Sequence, residues 1–292
     1  MEIRGFIENS LLEWQGKLAC VVFVPDCNLR CHFCHAAHLL TSSCLETIAE
    51  KQILSYMDRK SDWLDGAVIT GGEPTLHEWE LMDFIKKVRD INLDVMVETN
   101  GTRPKWVERL ISRRGVSAIS MDVKAPLTPR DYKNVTQREV EIDDIRESIR
   151  LIRESDIKHE FRITVVPGLI ERNDVRRMVP DLEGAEKVAI QNFQPENCLD
   201  ESLHDTLPYR PEEIETIASE LEDAVGEVEV RGRDRGVIAR SERKKCLKGL
   251  DGTYCHVALG AFLFAGAHPG YLTRKFSQTS AGNYSKSNLS NI

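Results

Sequence analysis

Long apolar stretches are missing from this sequence. The longest uninterrupted run, residues 257–267, has 11 residues, against the ~20 that a membrane-spanning helix needs. Residues 1–17 carry Glu2, Glu8 and Glu13 and no apolar core, so they do not read as a secretory leader. Net positive charge is missing too: the formal charge is −8, which argues against bulk nucleic-acid binding. Together these absences predict a cytoplasmic protein with no membrane partner. That compartment keeps thiols reduced, so the eight cysteines are not expected to form a disulfide framework. One further absence matters more. Where cysteines do cluster, a fourth is lacking.

The cluster is Cys27-Asn28-Leu29-Arg30-Cys31-His32-Phe33-Cys34. Three thiolates from one short loop can hold three corners of a 4Fe–4S cube. The fourth iron then stays open to a small molecule. Spacing alone also fits zinc, completed by His32, His35 or a distant cysteine. Cys20 and Cys44 read as buried or partly exposed thiols. Cys198, Cys246 and Cys255 are scattered, and whether they bind a second metal is open at this level.

With 292 residues, 41% hydrophobic and 29% charged, the chain can bury a sizeable core. Residues 1–17 predict an irregular or hairpin-like lead-in. Strands are predicted at 18–25, 66–70, 94–98, 116–122, 159–166, 187–193 and 227–231. Helices are expected from near Leu45, over 78–90, 104–113 and 142–155, briefly after Asn173, and over 211–224. Such alternation means a parallel sheet covered by helices. The fold class is therefore α/β, a partial or full TIM-type (β/α) barrel of six to seven parallel strands. A doubly wound open sheet is the alternative. Both bind ligands at the C-terminal ends of the strands.

A barrel domain is assigned to residues 1–231. Residues 231–248 hold eight Lys/Arg against Asp234 and Glu242, a local +6 that leaves −14 elsewhere. Such a stretch is a solvated face or a docking surface for an acidic partner or phosphate. From 249 onward only Asp251 is acidic, periodicity fades, and the composition reads as a loosely ordered tail of unassigned role. Residues 232–292 thus form a separate segment.

Polar residues recur in the loops after successive strands. The cysteines follow the first strand, and Thr70-Gly71-Gly72-Glu73-Pro74-Thr75 the second. Paired glycines admit close backbone approach, and Glu73 can accept hydrogen bonds from an ammonium group. Glu98-Thr99-Asn100-Gly101 follows the third strand and Asp122-Val123-Lys124 the fourth, while the fifth carries Arg162. Each alone reads as a turn, a cap or an ion pair. Gathered at one end of one sheet, they read as a catalytic mouth.

In this order, C-x3-C-x-aromatic-C, GGEP, ETNG and DVK resemble the radical S-adenosylmethionine (SAM) superfamily. The segment GFIENSLLEWQGKLACVVFVPDCNLRCHFCH further resembles glycyl-radical enzyme activating proteins, especially those serving anaerobic ribonucleoside-triphosphate reductase. The likeness covers about residues 3–231. It implies a 4Fe–4S cluster on Cys27, Cys31 and Cys34, with SAM on the open iron. It places Phe33 near the adenine and Gly71, Gly72 and Glu73, with Pro74, around the methionine amino group. Thr99, Asn100, Asp122, Lys124 and Arg162 join the cofactor-binding set, Lys124 and Arg162 facing the SAM carboxylate and ribose. Glu98, Thr99 and Asp122 match residues that bind a monovalent cation in pyruvate formate-lyase activating enzyme. Two positions depart from the family: Ala36 replaces an Asn and Asp26 a Gly.

The resemblance implies a cofactor-driven oxidoreductase with no dedicated acid or base. An electron enters SAM, and the resulting 5′-deoxyadenosyl radical removes hydrogen from a glycine of a glycyl-radical enzyme. An electron donor such as flavodoxin or ferredoxin is implied as a second partner. The competing expectations are a radical SAM enzyme acting on a small molecule or peptide, and a zinc-binding interaction module.

Overall fold

The computed structural model describes residues 1–40, 46–112, 115–196 and 198–232. Its sheet has eight strands in simple chain order. They are β1 (Gly5–Ser10), β2 (Ala19–Val24), β3 (Gly66–Gly71), β4 (Asp94–Thr99), β5 (Ala118–Asp122), β6 (Lys158–Val165), β7 (Val188–Asn192) and β8 (Val228–Arg231). The β1 strand runs antiparallel to β2, and every later neighbour is parallel.

The helices are α1 (Ala37–Leu40), α2 (Glu50–Lys60), α3 (Glu78–Asp90), α4 (Pro104–Ser112), α5 (Pro129–Thr136), α6 (Ile142–Arg153), α7 (Arg172–Leu182) and α8 (Pro211–Ala218). Parallel crossovers share one hand, so an unbroken strand order puts the helices on one face and curls the sheet away from them. The result is a partial TIM-type barrel whose edge strands β1 and β8 do not pair. A doubly wound sheet reverses its order partway, which this sheet does not do.

Successive side chains on a strand face opposite ways, and here the two faces differ in kind. Val22, Val24, Ile69, Val95, Val97, Ile119, Phe161 and Ile163 belong to the large core under the helices. The concave face begins with a small apolar layer of Val21, Val68, Met96 and Ala118, against which Trp14 packs. Toward the C-terminal ends it turns polar. The lead-in is indeed a hairpin, and its turn closes the bottom of the half barrel. Lys17 pairs with Asp94 and Lys187 with Gln15 across that floor.

Four local expectations need correction. The helix expected from near Leu45 begins at Glu50, with Ala49 still extended. The amide of Ile48 donates to the Ile3 carbonyl at 2.9 Å, and the Met1 amine pairs with Glu50, so tertiary contacts hold 46–49 out of the helix. The last helix ends at Ala218 rather than 224. The α5 helix was not expected. Its start has a Thr128 cap accepting from the Asp131 amide at 3.1 Å and Pro129 in the first turn, both good initiators. Finally, α7 starts at Arg172 and runs for 11 residues, longer than the short helix expected after Asn173. Leu45, Cys44, Cys246, Cys255 and the basic segment and tail from 233 onward lie outside the described residues.

Candidate active site

The cysteine loop leaves β2 through Pro25 and Asp26. Asp26 sits in the left-handed region, at φ 61°, which L-residues enter at a cost and Asp more readily than most. A glycine at this position meets the same need, so the departure from the family pattern is conformationally equivalent. The loop is held on two sides by backbone. Arg30 and His32 amides donate to the carbonyls of Thr136 and Val135 at 2.9 and 3.2 Å. Leu199 and Asp200 amides donate to the carbonyls of Cys34 and His32 at 3.1 and 3.0 Å.

Cys31 is buried, and Cys27 and Cys34 are half-buried. Burial pushes the thiol of Cys27 up to about 11 and that of Cys31 up to about 12, and raises Cys34 as well; the charge of Lys124 opposes the shift at all three. Three sulfurs, one buried and two half-buried, near one cation suit a soft metal centre that makes them thiolates. The histidines do not complete a single-ion site. His32 Nδ1 lies 2.6 Å from Asp200 Oδ2, and His35 Nδ1 3.4 Å from the Glu196 carbonyl. Among the described residues no group of three or more His, Cys, Asp or Glu side chains could hold one metal ion. Cys198 is buried, its thiol facing the Gln194 carbonyl at 2.9 Å.

The GGEP loop docks directly on the cysteine loop. The Gly72 amide donates to the Val24 carbonyl at 2.9 Å and the Glu73 amide to the Asp26 carbonyl at 2.7 Å. Gly71 has φ 119°, open only to glycine in practice. The Glu73 side chain is 1% exposed. Its Oε1 accepts from the Thr75 amide (3.1 Å), the Thr75 hydroxyl (2.5 Å) and the Thr99 hydroxyl (2.7 Å). Its Oε2 accepts from the Asn100 amide at 2.7 Å. Glu73 is therefore first a tie between loops, and only Oε2 keeps room for another donor. Pro74 opens a 3-10 turn, Pro74–His77.

On the concave face, Arg162 forks between two carboxylates. It reaches Glu98 at 2.6 and 3.0 Å and Asp122 at 3.0 and 3.3 Å. The Thr70 hydroxyl adds a 2.6 Å bond to Glu98, and Lys124 Nζ stands 2.9 Å from Asp122. Burial alone would raise the Asp122 carboxyl; the charges of Arg162 and Lys124 more than offset it and hold it at about 2. Lys124 Nζ also lies 5.8 Å from the centre of the buried Phe33 ring. The array continues through Ser120, Glu160 and Arg231, with Arg231 on Glu160 at 2.8 and 3.1 Å.

The geometry gives the three residues expected at a cation their present partners. Glu98 and Asp122 already share the guanidinium of Arg162, and the Thr99 hydroxyl points to Glu73 instead. It also shows partners that the sequence did not suggest. Asp200 lies 168 positions from His32, with no motif to announce it. Tyr132, fully buried, accepts from the Lys124 amide at 3.3 Å. Cys27, Cys31, Cys34, Glu73, Asn100, Lys124 and Arg162, in contrast, do converge at one sheet end, as expected.

Three clustered thiols, a glycine-lined shelf and a largely buried acid–base array at the mouth of a half barrel define a cofactor-dependent redox enzyme. The chain belongs to the radical SAM superfamily, which it matches over residues 21–178. Its cofactors are accordingly a 4Fe–4S cluster and S-adenosylmethionine, which rules out the zinc-module alternative. A protein of Methanocaldococcus jannaschii, named by inference a glycyl-radical enzyme activating enzyme, is 25% identical over 205 residues, 69% of this chain and 83% of that protein. The 7-carboxy-7-deazaguanine synthase of Clostridium acetobutylicum is 25% identical over 168 residues, 52% of this chain and 73% of that one. In fold, the chain resembles SuiB of Streptococcus suis bound to its precursor peptide SuiA. The TM-score is 0.57 at 13% identity, over 73% of this chain and 48% of SuiB, so the chain spans about half of that protein's length. Among the described residues no helix is long and apolar enough to cross a membrane.

Proposed function

We propose that this protein activates a glycyl-radical enzyme, with anaerobic ribonucleoside-triphosphate reductase the leading partner, and that residues 1–231 form its catalytic domain. The observation that carries this reading is the breadth of the likeness to the M. jannaschii protein, 83% of its length. Cys27, Cys31 and Cys34 hold the cluster. When bound, it supplies the electron that splits SAM into methionine and a 5′-deoxyadenosyl radical.

The chain's own residues bind and position. Gly71 and Gly72 give SAM a backbone shelf without side chains, and the remaining capacity of Glu73 Oε2 receives its amino group. Pro74 and Asn100 close that end, and Phe33 packs toward the adenine. Lys124 faces the SAM carboxylate. Arg162 holds Glu98 and Asp122 in ion pairs and, with Lys124, keeps Asp122 ionised. A flavodoxin- or ferredoxin-type carrier delivers the electron, and the work is done in the cytoplasm.

Anaerobic protein reconstituted with iron and sulfide should convert SAM to 5′-deoxyadenosine when reduced, and Cys31→Ala should lose both cluster and product. Product formation by the variant would sink the cluster assignment. Adding the reductase should then yield a glycyl radical by electron paramagnetic resonance. A second reading, action on a small molecule, draws on the likeness to the deazaguanine synthase. It gains if 5′-deoxyadenosine forms but no glycyl radical follows.

A further inference from the structure

Asn28, Thr102 and Asn100 close a ring of hydrogen bonds beside the first cysteine. Asn28 Nδ2 donates to Thr102 Oγ1 at 2.8 Å, Thr102 Oγ1 to Asn100 Oδ1 at 2.7 Å, and Asn100 Nδ2 to Asn28 Oδ1 at 2.9 Å. The orientation of the Asn100 amide is fixed by chemistry. The Thr102 backbone amide, which can only donate, lies 3.0 Å from Oδ1, so the other atom must be the NH2 group. One of its hydrogens serves Asn28. The other is directed at Cys27 Sγ, 3.7 Å away. The Leu29 amide approaches the same sulfur at 3.4 Å.

The amide is held from several directions. Asn100 is 5% exposed, and its backbone N–H is bonded to Glu73 at 2.7 Å. The next carbonyl, of Gly101, accepts from the Ser148 hydroxyl at 2.7 Å. Gly101 has φ 72°, and a Cβ there would stand 2.0 Å from the Met121 methyl. The donor is thus in place through protein contacts alone.

The geometry points to Asn100 as a positioning residue that raises the reduction potential of the cluster through the sulfur of Cys27. A donor on a ligating thiolate withdraws charge from it and favours the more negative, reduced state; hydrogen bonds to the sulfurs are among the determinants of cluster potential. The inference rests on the ligation by Cys27 proposed above and is independent of what the enzyme acts on.

The test uses full-length reconstituted protein without SAM. Iron per chain reports ligation, and a redox titration followed by electron paramagnetic resonance reports potential. Asn100→Ala should keep its iron and shift the midpoint to a more negative value. Asn28→Ala opens the ring but leaves the Asn100 amide beside the sulfur, and its shift should be smaller. An unchanged midpoint in iron-replete Asn100→Ala, or an equal shift in Asn28→Ala, overturns the inference. Wild-type protein labelled with 15N in the asparagine side chains gives a variant-free check. Pulsed resonance on the reduced cluster should detect a coupled amide nitrogen, and its absence also overturns the assignment. Loss of iron from Cys27→Ser, with none from Asn100→Ala, separates ligation from tuning.

Discussion

Gly72 lies so close to Asp26 that a Cβ built on it would stand 1.8 Å from the Asp26 carbonyl oxygen. That oxygen is already the acceptor for the Glu73 amide at 2.7 Å. The two motif loops are therefore seated on each other through direct backbone contact. Gly72→Ala must push them apart, and overpacking of this kind costs about 1–3 kcal/mol. Thermal unfolding should shift down accordingly, and reconstituted variant should retain less iron than wild type.

Asp26 itself carries the left-handed turn. Asp26→Gly should leave stability within about 1 kcal/mol, the relief of the turn offsetting the greater freedom of the unfolded chain. Asp26→Val, β-branched in the same conformation, should lose about 1–2 kcal/mol. Denaturant unfolding of both apo-proteins distinguishes a conformational role from a chemical one: equal losses would assign the role to the carboxylate.

Arg162 holds two largely buried carboxylates, so Arg162→Met leaves Asp122 with Lys124 and Glu98 with the Thr70 hydroxyl. Removing one partner from a buried charge set costs about 3–5 kcal/mol. In wild type, Asp122 is depressed to about 2, so its contribution is full above the unfolded value of ~3.9 and fades only as pH falls through about 2. In the variant Asp122 takes up a proton more readily, because the larger of its two stabilising charges is gone. The deficit against wild type should be largest near pH 8 and shrink toward pH 5, as followed by unfolding temperature. A pH-independent deficit would mean that Asp122 does not carry the charge that Arg162 offsets.

The pair His32–Asp200, with side chains 29% exposed, is too wet to matter globally. Surface pairs contribute about 0–1 kcal/mol. Its value is local, since two backbone bonds already lay residues 199–200 along the cysteine loop. Asp200→Ala should leave the unfolding temperature nearly unchanged while amide exchange across 198–204 speeds up. Unaltered exchange there would mean that the backbone bonds suffice.

Much of the site was legible in the chain. Thiolate spacing marks Cys27, Cys31 and Cys34 as one metal or cluster site, because a tight loop brings three sulfurs together in almost any fold. Alternating strand and helix patterns place each motif after its strand, and parallel topology then gathers those ends at one mouth. Those inferences depend on local periodicity and covalent spacing, so they hold without coordinates.

Other features required the fold. Nothing local tells that Glu98 and Asp122 will share Arg162, because the answer depends on register: Asp122 faces Arg162 across β5 and β6. Glu73 looked like an open acceptor, but burial beside Thr75, Thr99 and Asn100 turned it into a tie. The start of α2 was set by Ile3 and Met1, far off in sequence, and Asp200 reached His32 only when β7 returned the chain to the mouth. Sequence determined the donors and their order. Tertiary structure decided which of them were already paired, because the pairing partners are separated by tens of residues and meet only when the sheet curls.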